Sequence, residues 1–148
     1  MERKTGVVVP LAALYTKDCA AVGEFTALKP FADFCKKTGL SVIQLLPVND
    51  TGTQSSPYSG LSAFALHPLY INIEALPEFG EAIKADKSFA GAYHTFVKEN
   101  KYHARFDYDK ILNEKIRVLH LLYAWIEKRV AEEEQKKFRR KRRSVMSA

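Results

Sequence analysis

The spacing of apolar residues changes several times along the chain, and those changes divide it into elements. Residues 6–14 (GVVVPLAAL) open with a β-branched run and predict a short strand that ends near Pro10, which has no N–H to give a ladder. After a loop over 15–23, Phe25, Leu28, Phe31, Ala32 and Cys35 recur at helical spacing on one face. Glu24 falls in the first turn of that helix and Lys36 and Lys37 in the last, each charge suiting its end of the helix dipole. Pro30 belongs in a first turn, so the regular helix is expected to start nearer Lys29 than Glu24, and Gly39 is the expected stop. Residues 41–48 (SVIQLLPV) then predict a second, buried strand ending at about Leu46, ahead of Pro47.

Strand, loop, helix and strand in about forty residues form a βαβ unit, whose strands are expected to be parallel and adjacent. The fold class is therefore α/β, although this pattern alone fits a closed barrel and an open doubly wound sheet equally. Farther on, residues 63–66 could close a loop with a helical turn, and 69–73 alternate as an extended segment. Residues 78–101 are loosely helical, with Phe79, Ile83, Phe89, Tyr93, Phe96 and Val97 on one face and Gly80 and Gly91 as weak points. The strongest helical pattern covers 111–130, where Leu112, Ile116, Leu119, Tyr123, Ile126 and Val130 alternate in steps of four and three. Glu114, Lys115 and Arg117 then fall on its other faces.

Charge changes the picture only at the end. The 148 residues carry a net charge of +6, but Lys136, Lys137, Arg139, Arg140, Lys141, Arg142 and Arg143 supply seven positive charges, and removing them leaves −1. The body is nearly neutral, so no field suited to nucleic acid surrounds the whole molecule. The natural division is 1–130 as a folded part and 131–148 as a charged, disordered tail. Cys19 and Cys35 have neither CxxC nor Cys/His spacing and read as free buried thiols, as in a reducing cytosol. The weak apolar run after Met1 carries Pro10 and no small-residue cleavage site, and no stretch approaches the roughly 20 apolar residues that span a bilayer. The expected setting is cytoplasmic, with no membrane, metal or cofactor.

Candidate chemistry lies just beyond the carboxyl end of the second strand, which is where α/β folds bind ligands. Residues 49–62 are rich in Asn, Asp, Thr, Gln, Ser, Gly and Tyr, with little formal charge. Hydroxyls and amides beside an aromatic face suit a sugar better than a phosphate, which would need Lys or Arg near the glycines. A turn-rich loop that satisfies its own backbone is the competing reading.

The strings Gly6-Val7-Val8-Val9-Pro10-Leu11, Leu45-Leu46-Pro47-Val48-Asn49-Asp50-Thr51-Gly52, Ser56-Pro57-Tyr58-Ser59-Gly60-Leu61-Ser62-Ala63-Phe64-Ala65 and His67-Pro68-Leu69-Tyr70-Ile71 resemble the opening of the catalytic domain of 4-α-glucanotransferases, the amylomaltase or disproportionating enzyme family. The match runs evenly from about Thr5 to Tyr123, and Ala65-Leu66-His67-Pro68-Leu69-Tyr70 is closer to the larger plant cytosolic and bacterial forms. The resemblance implies the opening β-α-β portion of a (β/α)8 TIM barrel followed by a helical segment, in an incomplete barrel, since a full one takes about 250 residues. It further implies transfer of α-1,4-glucan segments between maltooligosaccharides in starch or maltose metabolism. In this family the catalytic carboxylates lie on later strands, so no catalytic residue is expected here. Ser56, Pro57, Tyr58 and Ser62 are the substrate-binding residues that the resemblance implies, with His67 structural behind the loop. A different reading of the chain is a small non-enzymatic protein using Arg139–Arg143 on nucleic acid or an acidic membrane.

Overall fold

β1 (Gly6–Val9) and β2 (Val42–Leu45) pair in parallel, in register from Gly6 opposite Val42 to Val9 opposite Leu45. The computed structural model that shows this pairing describes residues 3–101 and 107–146, with side chains as far as 137. The last ladder bond runs from Leu46 N to Val9 O at 3.1 Å, so pairing stops just before Pro47. The adjacent parallel strands match the sequence expectation, but the expected burial of β2 does not: both strands alternate exposed and half-buried residues, with Val8 58% and Val42 43% exposed. In a two-stranded sheet each strand is an edge, and neither is enclosed as an inner parallel strand is.

The crossover is α1 (Leu28–Lys37), entered through a 3-10 turn at Phe25–Ala27. It ends in a Schellman motif: Leu40 N reaches Cys35 O at 2.9 Å and Gly39 N reaches Lys36 O at 3.3 Å, with Gly39 at φ +80°. Glu24 is a correction. It precedes the 3-10 turn in extended backbone and is fully buried, so it does not sit in the first turn of the helix as the dipole argument expected.

Residues 69–73 are also not extended. His67 and Asn72 instead cap two 3-10 turns, Pro68–Tyr70 and Ile73–Ala75, accepting from Leu69 N at 3.1 Å and Ala75 N at 2.8 Å. The expected helical turn over 63–66 is likewise absent, because Leu66 is drawn into an antiparallel bridge with Asn49.

The core lies among α2 (Phe79–Ala85), α3 (Lys87–Asn100) and α4 (Tyr108–Met146). Gly80 and Gly91 do not interrupt α2 or α3. The break comes at Asp86, whose carboxylate caps α3 by accepting from Ser88 N at 2.8 Å and Phe89 N at 3.0 Å. Phe89, Phe96, Tyr93 and Ala82 are buried against Leu69, Ile73 and the inner face of α4. The predicted stripe holds in part: Leu112 is buried and Ile116, Leu119 and Ile126 pack partly buried against the core, but Ile111, Lys115, Val118 and Leu122 are also buried, whereas Tyr123 is 59% and Val130 49% exposed.

The backbone shows no boundary at Val130. α4 continues to Met146 through Ala, Glu, Gln and Lys, strong helix formers with no glycine or proline among them. The side chains of Arg139–Arg143 lie outside the described residues.

Candidate functional site

The polar loop after β2 is closed at its neck before it reaches its tip. Asn49 and Leu66 bridge, Asp50 N donates to Ala65 O at 2.9 Å, His67 N to Val48 O at 3.0 Å and Asn49 Nδ2 to Ala63 O at 2.9 Å. A second level follows. Leu61 N reaches back to Asp50 O at 2.7 Å, and the Asp50 carboxylate accepts from Gly52 N at 2.9 Å. Gly52 has φ +58°, and a Cβ built on it would lie 2.8 Å from Leu61 Cδ1, so both its conformation and its neighbour favour glycine. Thr51, only 4% exposed, donates from Oγ1 to Gln54 O at 2.6 Å.

At the tip, Ser56, Pro57 and Tyr58 share one turn, closed by Ser59 N to Ser56 O at 3.1 Å. Tyr58 is 73% exposed and Phe64 94%, with Leu61 and Leu66 also open to solvent. The Ser56 hydroxyl accepts from Tyr58 N at 3.4 Å. Ser62 lies on the returning limb, where its Oγ accepts from Phe64 N at 3.2 Å and Ala65 N at 3.0 Å, which leaves its O–H free to donate. The four residues that the resemblance implies for sugar binding are thus three on the tip and one shaping the return.

Behind the loop stands a buried polar cluster that sequence patterning missed. The Tyr108 hydroxyl, on the first turn of α4, meets Gly52 O at 3.0 Å, Thr51 Oγ1 at 3.0 Å and His67 Nε2 in a short hydrogen bond. One α-helical heptad on, Lys115 Nζ donates to Glu24 Oε1 at 2.6 Å and Leu69 O at 2.7 Å, while Asn72 Nδ2 donates to Glu24 Oε2 at 2.6 Å. Lys115 is not on a solvated face. It interrupts the run Ile111, Lys115, Val118, Leu122, and that interruption was the only available sign of its role.

Burial sets the protonation in this cluster. Desolvation pushes the Glu24 carboxyl up and the Lys115 ammonium down, each opposed by attraction and hydrogen bonding to the other. His67 is lowered, chiefly by burial; Asp50 acts in the raising direction and Lys115 in the lowering one. A neutral His67 agrees with its Nδ1, which accepts from Leu69 N and so cannot carry the proton. Tyr93 is raised by burial and by its 2.6 Å hydrogen bond to Glu74.

Four carboxylates have structural partners: Asp50 in the Gly52 turn, Asp86 and Asp107 at helix starts, and Glu74 on Tyr93. Among the described residues no group of three His, Cys, Asp or Glu is placed to hold a metal, and no helix is long and apolar enough to cross a membrane. Cys19 and Cys35 are both buried and unpaired with each other.

These features define an α/β protein whose polar, aromatic-tipped loop follows the second of two parallel strands. Residues 9–147 match the family model described as 4-alpha-glucanotransferase, and the chain belongs to that family. A 4-alpha-glucanotransferase of Chlamydia trachomatis is 50% identical over 74 residues, covering 50% of this chain and 14% of the relative. That of Chlamydia pneumoniae is 38% identical over 108 residues, 67% of this chain and 20% of the relative. The rice protein 4-alpha-glucanotransferase DPE2 (Oryza sativa subsp. japonica) is 43% identical over 81 residues, 51% of this chain and 9% of the relative. The chain therefore spans between 9 and 20% of the length of these three relatives.

Proposed function

We propose that this chain supplies one wall of the glucan cleft of a 4-α-glucanotransferase, an enzyme that moves α-1,4-glucan segments between maltooligosaccharides in starch or maltose metabolism. Ser56, Pro57 and Tyr58 face the sugar, Ser62 offers a hydroxyl from the returning limb, and β1 and β2 are the first two strands of a (β/α)8 barrel. The carrying observation is the loop tip: a largely exposed Tyr58 ring on a turn whose root is fixed by hydrogen bonds at two levels. An exposed aromatic face held in place can pack on the C–H side of a pyranose at little further ordering cost. The family match and the parallel βαβ unit support the same reading. The two buried free thiols fit a reducing compartment, and we place the protein in the cytoplasm on that ground.

Retaining transfer needs two carboxyl groups about 5–5.5 Å apart, one as nucleophile and one as acid/base. The resemblance implies that this pair lies on later barrel strands, and Asp50, Asp86, Asp107 and Glu74 are engaged in a turn, two caps and the Tyr93 hydrogen bond, so we expect this chain alone to turn over no glucan. The test is chromatographic: maltotriose incubated with the purified chain should yield no glucose or longer oligosaccharides above a buffer blank. Products above that blank would place the chemistry within these residues and overturn the reading.

A further inference from the structure

We propose that Tyr108 is a positioning residue for the sugar-facing loop: its hydroxyl, delivered by the first turn of α4, sets the path of residues 51–54 and is itself held by His67. The sugar in this statement rests on the function proposed above, whereas the control of the loop by Tyr108 does not.

The proton count gives the network a single direction. His67 Nδ1 accepts from Leu69 N at 3.1 Å, so Nε2 carries the ring proton and donates to the Tyr108 oxygen. Tyr108 then has one proton to give, and it goes to Gly52 O at 3.0 Å. Thr51 Oγ1 spends its own proton on Gln54 O, so at 3.0 Å from Tyr108 it acts as a second acceptor for the same hydroxyl. The order is Leu69 N–H to His67, His67 to Tyr108, Tyr108 to the Gly52 carbonyl. Each end is a backbone group, one at each root of the loop, and neither root residue is near Tyr108 in sequence. The second ring contact is geometric: the His67 and Tyr108 rings meet edge to face at 5.9 Å, which restricts how far the hydroxyl can swing. Gly52, at φ +58°, adopts this conformation without steric cost but is not confined to it by a side chain, so a fixed donor to its carbonyl limits what it can sample.

Hydrogen exchange at assigned amides in the whole chain tests this, with maltoheptaose titration as a second readout. Tyr108→Phe keeps the ring and removes only the hydroxyl. It is expected to speed exchange of the Gln54 and Leu61 amides about tenfold, the effect of losing one partly buried hydrogen bond, while Phe89 and Phe96 in α3 exchange as in the parent. His67→Asn can still cap Leu69 N but cannot reach Tyr108, and is expected to match Tyr108→Phe. His67→Gln, whose amide can reach the hydroxyl, is expected to exchange more slowly at Gln54 and Leu61 than His67→Asn. The double variant Tyr108→Phe/His67→Asn should be no worse than either single change, because both break one chain of bonds.

Additive effects in the double variant, equal acceleration across α3, or parent-like exchange in Tyr108→Phe would each overturn the proposal. Maltoheptaose affinity is expected to fall about tenfold in Tyr108→Phe, in step with the loop. A loosened loop that binds the sugar as before would overturn the positioning role. A parent chain that ignores maltoheptaose yet shows the local exchange pattern would instead remove the glucan reading and keep Tyr108 as the residue that sets the loop.

Discussion

Removing one member of a buried ion pair strands the other charge, and Glu24 and Lys115 are both fully buried. Lys115→Met leaves the Glu24 carboxylate with Asn72 and no counter-charge, and should cost about 3–5 kcal/mol in urea unfolding, whereas Glu24→Gln/Lys115→Met should recover most of it. A double variant as unstable as the single one would mean that the pair stabilises the fold outright. Residue-level pH dependence centres on His67. Its folded pKa lies below the ordinary 6.5, so between the two values the unfolded chain binds the proton better. The contribution of His67 to stability therefore falls as pH is lowered through about 6.5 and stops falling below the folded value; His67→Asn should remove that contribution when unfolding is followed from pH 8 to 5. An unchanged slope in the variant would assign the effect elsewhere. None of these three residues was legible as a partner in the sequence: Glu24 looked like a helix-dipole charge, Lys115 a solvated one and His67 a structural residue without a named contact. Their pairing spans 91 residues for Lys115 and Glu24, and periodicity cannot report contacts made between elements.

At the scale of elements, the far end of the apolar stripe on α4 gives the sharpest contrast. Leu122 is 2% exposed and Tyr123 59%, although the apolar spacing favoured Tyr123. Leu122→Ala should destabilise by about 2–5 kcal/mol and Tyr123→Ala by no more than about 0.5 kcal/mol in thermal or urea unfolding. Similar losses at both positions would restore the sequence-derived stripe. The stripe missed part of the buried face because Lys115 sits in it, and an apolar count passes over a lysine whose charge is paired inside. Elements with strong local punctuation fared better. Pro47 and Gly39 marked ends that the backbone respects, through the last ladder bond at Leu46 and the positive φ at Gly39. The 3-10 turns after His67 and Asn72 were not legible, since alternation of apolar residues is the same whether the segment is extended or coiled onto a side-chain cap.

Taken as a whole, the molecule divides into a helical body with a continuous core and a two-stranded sheet in which no residue is fully buried. Amides in α3 and in the inner face of α4 should therefore be the last to exchange, and those of Val8 and Gln44 should open by local fluctuation at least about tenfold faster. Uniform protection would show one cooperative unit. The parallel βαβ unit and the position of the loop after β2 were legible because strand, helix and turn residues agree locally; the brace behind the loop was not, because Tyr108 arrives from more than forty residues away. The brace fixes the root of the loop proposed to face the sugar, and sugar binding is measured at that loop. Titration of maltoheptaose into the isotopically labelled chain, followed by amide chemical shifts, should move residues 56–62 first and leave α3 in place. Absence of shifts at saturating sugar, or shifts confined to the helices, would rule out sugar binding by this loop.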